Sequence, residues 1–330
     1  MNTNRWTWHG GGLSAARARF GGEAADWLDL STGINPWAWG WPETQSSPID
    51  WRALPDEQAL ATLEEAAAAH FGCHPDHVCA VPGTEIGLRL AADLLPRDAA
   101  HGVPGYRTHG AMIAGSTPIA PEAMASSTAA TLILANPNNP DGRLLSRDHL
   151  LALVEARPGW TALDEAFVDT HPGHSLAPMI DDARRLVIFR SFGKFFGLAG
   201  LRLGFVLGPR PLLATLRARL GAWPVCAAAL AIGTAAYRDT GWITQMRARL
   251  VAEADALDAA LARRGYQATG QSPLFRLIAC KDGPALFAHL AAQAILTRPF
   301  EDHPGWLRLG LPTDEAARAR LIAALPPHDS

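Results

Sequence analysis

One lysine stands in an almost uncharged run, Arg190-Ser191-Phe192-Gly193-Lys194-Phe195-Phe196-Gly197-Leu198-Ala199-Gly200-Leu201-Arg202-Leu203-Gly204-Phe205. Apolar and aromatic neighbours destabilise an ammonium, which favours the neutral amine that condenses with a carbonyl to a Schiff base. Glycines in the same run let the backbone turn tightly and approach a ligand. Arg202, eight residues beyond Lys194, offers a permanent cation to an anion such as a phosphate. A carboxylate, Asp164, closes the apolar run Trp160 to Leu163. The carboxyl ends of such strands are where α/β sheets place their ligands. Pro82-Gly83-Thr84-Glu85 follows an apolar run, Val78 to Val81, and precedes a helical pattern. A strand, a glycine turn and a helix N-terminus present free N–H groups and a positive dipole end to an anion.

Elements must hold these groups in place, and the apolar patterning predicts them. Apolar runs at 78–81, 131–135, 160–163, 186–189 and 203–207 read as buried strands. Helices are expected at 13–20, 57–71, 86–95, 211–220, 225–236, 240–264, 283–293 and 313–325, those at 211–220 and 225–236 as buried ones. Leu28 to Pro36 reads as an extended run closed by turn residues, and Trp37 to Trp51, rich in Trp, Pro and Gly, as a loop. Gln271 to Leu277, Ile295 to Phe300 and Trp306 to Leu311 read as strands near the end of the chain, with Arg298 and Arg308 pointing inward.

Composition excludes several function classes. At 330 residues the chain has room for one large and one small domain. A net charge of −3 gives no reason to expect nucleic acid or an anionic membrane as partner. No apolar stretch is long enough to span a bilayer, and the N-terminus lacks the apolar core of a signal peptide. Four scattered cysteines point away from a disulfide scaffold and towards a cytoplasmic protein. Cys73-His74-Pro75-Asp76-His77-Val78-Cys79 lacks a second Cys/His pair at a zinc-site distance, so no metal is expected.

The string S-x-x-K-x-x-G-L-x-G-x-R-x-G from Ser191 to Gly204 resembles the lysine motif of fold type I pyridoxal-phosphate (PLP) enzymes, the aspartate aminotransferase superfamily. Asn136-Pro137-Asn138-Asn139-Pro140-Asp141-Gly142 is similar to that superfamily's N-P-x-N-P-x-G, and the thirty residues from Asp164 to Lys194 match its spacing. The resemblance implies that Lys194 carries the PLP and that Ser191 and Arg202 bind its phosphate, with Gly83, Thr84 and Glu85 as backbone donors. It implies that Asp164 pairs with the pyridine nitrogen and that Asn139 donates to the phenolic oxygen. One ring of Val103-Pro104-Gly105-Tyr106-Arg107-Thr108-His109 stacks on the pyridine, and Tyr106 and His109 are both candidates. Arg308, in an R-L-G setting, matches the arginine that grips the substrate carboxylate, and Gly33 and Asn35 lie beside it. Arg298, with His9 or Asn35, is the candidate for a second anionic group.

The fold implied is α/β: a mostly parallel sheet in a large domain with a smaller C-terminal α+β domain, in a homodimer. The expected divisions are an N-terminal segment packing on the active site at 1–40, a PLP-binding domain at 41–240 and a small domain at 241–330. Two superfamily tyrosines are replaced, by Leu54 and Phe167, and Leu274 replaces an asparagine. An early His9-Gly10-Gly11 followed by Ser31-Thr32-Gly33-Ile34-Asn35-Pro36 narrows the resemblance to the threonine-phosphate decarboxylases of cobalamin biosynthesis. These convert L-threonine O-3-phosphate to (R)-1-amino-2-propanol O-2-phosphate and CO2. Histidinol-phosphate aminotransferase is the alternative, and a catalytically silent protein of the same fold, acting by binding a partner, is a third reading. The intact set of Lys194, Asp164, Asn139 and Arg308 argues against the last.

Overall fold

The computed structural model of the chain describes residues 9–40 and 49–327. Residues 1–8 and 41–48, parts of the expected N-terminal segment and of the Trp37 to Trp51 loop, lie outside the described residues. Two compact units emerge: Ala38–Asn139 with Arg143–Gln245, and Met1–Trp37 with Pro140–Gly142 and Met246–Ser330. The division after residue 37 groups the N-terminal segment with the C-terminal unit.

The larger unit is built on seven strands whose sequences are short, apolar and mostly buried. They are β1 (Val78–Val81), β2 (Ala99–Gly102), β3 (Thr117–Ile119), β4 (Thr131–Ala135), β5 (Trp160–Asp164), β6 (Leu186–Ser191) and β7 (Gly204–Leu207). Their order is β1-β7-β6-β5-β4-β2-β3. Only β7 runs against the others, pairing antiparallel with both β6 and β1. Near-continuous apolar strands belong in a parallel sheet because both faces are covered. This is the mixed α/β fold with a large, mostly parallel sheet that the motifs imply. The consequence for function is geometric: β1, β2, β4, β5 and β6 all end at one edge, and β7 begins there.

Local chemistry explains the helices. Asp56 caps the helix Glu57–Phe71 by accepting from Gln58 N, and Gly72 ends it in the left-handed region at φ 76°. The helix expected from Ile86 starts earlier, spanning Thr84–Ala92, because Gly83 at φ 94° already turns the chain into it. The expected helix 211–220 spans Arg210–Leu220 and buries only Leu212, Leu213 and Leu216, so it is amphipathic rather than buried. The long helix expected from Thr240 spans Thr240–Ala262.

The smaller unit holds β8 (Ala268–Thr269), β9 (Phe275–Ala279), β10 (Arg298–Pro299) and β11 (Trp306–Gly310), antiparallel in the order β10-β11-β9-β8. Two expectations are corrected here. The strand expected from Gln271 begins only at Phe275, since Gly270 sits at φ 93° and Pro273 has no N–H to pair. The strand expected at 295–300 is two pieces: Ile295–Leu296 pairs in parallel with Leu28–Asp29, and Arg298–Pro299 pairs with β11. Of the extended run from Leu28, only Leu28–Asp29 is strand.

Candidate active site

In the larger unit every expected cofactor residue belongs to the shared edge of the sheet. Gly83, Thr84 and Glu85 follow β1, and Tyr106 and His109 follow β2. Asn139 follows β4, Asp164 ends β5, Ser191 ends β6 and Arg202 lies two residues before β7. Lys194 lies in the one-turn helix Phe192–Phe195 just after β6.

Gly83 shows why the turn after β1 needs a glycine. A Cβ there would stand 2.7 Å from Arg202 Nη2, and φ is 94°. The guanidinium therefore lies against the turn that opens the helix Thr84–Ala92. Thr84 Oγ1 donates to Arg190 O at 3.0 Å, which ties this turn to β6. A Cβ on Gly204 would fall 2.6 Å from Thr84 N, so the start of β7 meets the same turn. Gly83 N donates to Val81 O at 2.7 Å, which corrects its expected role as a phosphate donor. The helix N-terminus at Thr84 and Glu85, a guanidinium and close backbone still make a cradle of the right chemistry for a phosphate monoester.

Asp164 is oriented by two contacts. Its Oδ1 accepts from Ala166 N at 2.9 Å, and its Oδ2 lies 2.9 Å from His109 Nε2. His109 is only 1% exposed, so a buried imidazole holds this carboxylate. Tyr106 is half-buried, with its ring edge-to-face on His109 at 5.5 Å. Its hydroxyl donates to Glu85 Oε2 at 3.1 Å, and burial pushes its pKa up to about 12. Thr108 also donates to Glu85, and so does Arg89. Asn139 is buried in a loop held by its neighbours. Asn136 exchanges two hydrogen bonds with the backbone of Leu145, and Asn138 Nδ2 donates to Pro104 O at 2.9 Å.

Lys194 is half-buried between fully buried Phe192, Phe195 and Phe196. Its Nζ lies 5.6 Å from the ring centroid of Phe167, the residue that replaces a superfamily tyrosine. Phe192 and Phe196 stack at 4.6 Å, and Phe196 stacks on Trp242 at 5.5 Å. This aromatic packing fixes the short helix that carries the amine.

The smaller unit brings the remaining candidates together. A Cβ on Gly10 would fall 2.2 Å from Ser31 O, and Gly11 N donates to Ser31 Oγ at 2.7 Å. Ser31 Oγ in turn donates to Asp29 Oδ1 at 2.6 Å. The H-G-G and S-T-G-I-N-P segments are therefore bonded to each other. His9 is exposed, Gly33 and Asn35 are buried, and Asn35 Oδ1 accepts from Trp37 N at 3.0 Å. Arg308 Nη2 donates to Ser31 O at 3.0 Å. Arg298 and Arg308 are direct cross-strand neighbours on β10 and β11, 5% and 3% exposed. Arg298 lies over the Phe300 ring and Arg308 over the Phe275 ring, each at 5.0 Å. Like charges opposite one another on a sheet are destabilising, the more so when buried. Two cations side by side are chemistry that an anionic ligand would complement.

Sequence reasoning missed Ser31 as the joint of the two motifs and left the role of His109 open. It also missed Arg190, whose buried side chain reaches three acidic or hydroxyl groups. The one available signal was a charged residue inside an apolar strand.

Residues 120–325 match the family model described as "Aminotransferase class I and II". The chain is 39% identical to a threonine-phosphate decarboxylase of Sinorhizobium sp, over 96% of this chain and 97% of that one. It is 40% identical to the threonine-phosphate decarboxylase of Pseudomonas aeruginosa, over 96% of each. Histidinol-phosphate aminotransferase 1 of Bradyrhizobium diazoefficiens is 33% identical, over 59% of this chain and 57% of that one. In fold, the chain resembles histidinol-phosphate aminotransferase from Sinorhizobium meliloti, solved with pyridoxal-5'-phosphate: the TM-score is 0.81 at 19% identity, covering 96% of this chain and 94% of that one. No helix among the described residues is long and apolar enough to cross a membrane. The chain belongs to the class I and II aminotransferase family of PLP-dependent enzymes and, within it, to the threonine-phosphate decarboxylases.

Proposed function

We propose that this protein decarboxylates L-threonine O-3-phosphate to (R)-1-amino-2-propanol O-2-phosphate and CO2 in cobalamin biosynthesis. The observation that carries this choice of reaction is the extent of the likeness. In sequence it runs the length of the chain for the decarboxylases and stops at 59% for the histidinol-phosphate aminotransferase of Bradyrhizobium diazoefficiens, whereas the fold is shared with both. We further propose that the protein works in the cytoplasm as a homodimer.

PLP, when bound, supplies an electron sink for the pair released as a bond to the substrate's α-carbon breaks. The residues divide the remaining work. Lys194 Nζ anchors the cofactor covalently. Arg202, Ser191 and the N–H groups of Thr84 and Glu85 hold its phosphate, while Gly83 makes the turn and its own N–H donates to Val81 O. Asp164, held by His109 and Ala166 N, keeps a proton on the pyridine nitrogen. Asn139 donates to the phenolic oxygen, and Tyr106 is the ring assigned to stacking, because His109 is engaged by Asp164. In the smaller unit Arg308 binds the substrate carboxylate, with Gly33 and Asn35 beside it. Arg298, with His9 or Asn35, binds the substrate phosphate. The carboxylate leaves as CO2 and a proton takes its place on the α-carbon.

Two adjacent buried guanidinium groups suit a substrate with two anions. Unphosphorylated threonine is therefore expected to be a poor substrate, since each charge-assisted hydrogen bond lost costs about 1.5–3 kcal/mol. Arg298→Ala is expected to narrow the gap in kcat/KM between threonine phosphate and threonine, mainly by harming the former. Steady-state assays of both compounds with both proteins test this. An unchanged ratio would remove Arg298 from the phosphate site.

A further inference from the structure

A second set of ionisable groups lies buried in the larger unit, and none of them is assigned a role above. Arg190 in β6 points its guanidinium at Asp169 and at Glu165, 3.4 Å away, with Ser175 Oγ at 3.3 Å. His70, on the helix Glu57–Phe71, reaches Asp169 Oδ1 through Nε2 at 2.9 Å. Glu165 also accepts from Ser175 Oγ and from Leu176 N. Arg190 Cζ lies 4.2 Å from the Phe71 ring centroid.

Three segments of the cofactor edge converge on Arg190. Its carbonyl accepts from Thr84 Oγ1, in the phosphate turn. Its guanidinium holds Glu165 and Asp169, in the chain leaving Asp164. Its own strand runs into Ser191 and Lys194. The far side of the cluster packs on the lysine helix: Tyr237 lies 5.0 Å from the His70 ring and 5.1 Å from that of Phe196, and 5.5 Å from that of Phe192.

We infer that Arg190, Glu165, Asp169 and His70 form a positioning network that sets Lys194 and Asp164 relative to one another. Four polar groups brought out of water are costly, and replacing such a cluster by apolar residues is often no less stable. Stability alone therefore does not account for it. What a network of directional bonds supplies is a single arrangement of the three segments it joins. Burial raises the Glu165 pKa, and Arg190 opposes that rise. Burial also works against the Arg190 charge, yet Asp169 and Glu165 outweigh it and raise its pKa.

This inference rests on the assignment of Lys194 as the cofactor lysine. The test uses the holoenzyme and its His70→Ala, His70→Gln and Glu165→Gln variants. Borohydride labelling of Lys194 is measured first, then the pH midpoint of the cofactor's visible absorbance, kcat, KM and Tm. His70→Ala and Glu165→Gln are expected to keep the label but to move the midpoint by at least about half a pH unit, because displacing Lys194 or Asp164 changes the surroundings of the titrating nitrogen. Their kcat is expected to fall on the order of tenfold to a hundredfold, as slight misplacement of reacting groups does, with KM nearly unchanged. His70→Gln, which returns a donor to Asp169, is expected to recover most of both. A lower Tm with an unmoved midpoint and an unmoved kcat would reduce the network to a structural one and overturn the proposal. If His70→Ala does not fold, Glu165→Gln decides by the same readouts. Absence of label on Lys194 in the unsubstituted enzyme would instead overturn the assignment beneath it, and the network's proposed role with it.

Discussion

Replacing Asp164 with alanine is expected to leave a folded, yellow protein that has lost nearly all turnover. The carboxylate ends β5 and makes two contacts, with Ala166 N and His109, neither of which the sheet needs to form. Its proposed work is electrostatic: a buried anion that keeps a proton on the pyridine nitrogen. Without it the chain would have no carboxylate to hold a proton on the pyridine nitrogen, and the electron sink that PLP would supply when bound would be weakened. Removing one preorganised charge of this kind costs on the order of 10²–10³ in kcat. Cofactor retention is expected to change little, because the proposed phosphate cradle at the turn after β1 and Arg202 is untouched. The checks are absorbance, which reports bound cofactor, and decarboxylation assayed on the same sample. Near-normal turnover would show that Asp164 has another role.

Lys194→Ala is expected to have an effect at least as large. The chain contains only two lysines, Lys194 and Lys281. Lys281 is exposed, in the turn before the helix Gly283–Ala291. Borohydride followed by peptide mapping is therefore a choice between two peptides. Label is expected on the Lys194 peptide in the unsubstituted enzyme and on neither in the variant. Loss of the covalent nucleophile in other enzymes costs about 10⁶-fold in kcat, and a drop of at least about 10³-fold is expected here. Label on Lys281, or activity surviving in Lys194→Ala, would contradict the assignment.

The parts of the candidate site whose placement was legible in the sequence sit where an apolar run stops. Asp164, Ser191 and the turn at Gly83 each follow a buried strand, and a buried parallel strand declares itself by its composition. Asn139 and Lys194 were legible because their neighbours make up long, specific motifs. What was not legible depends on contacts between distant residues. Tyr106 and His109 are equivalent as rings in a loop, and only the contact with Asp164, fifty-five residues away, tells them apart. Arg190 bonds to residues from three separate segments, so no spacing reveals its network. The break at Thr297 was hidden because Ile295 and Leu296 find their partner at Leu28, while Arg298 finds its partner on β11. That break matters, since it sets Arg298 opposite Arg308.

The most direct measurement follows carboxyl-labelled threonine phosphate incubated with the purified protein and PLP, with no keto acid added. Release of labelled CO2, with aminopropanol phosphate as the co-product in equal amount, is the result predicted by the site described here. No CO2 from threonine phosphate, together with efficient transamination of histidinol phosphate and 2-oxoglutarate, would contradict it.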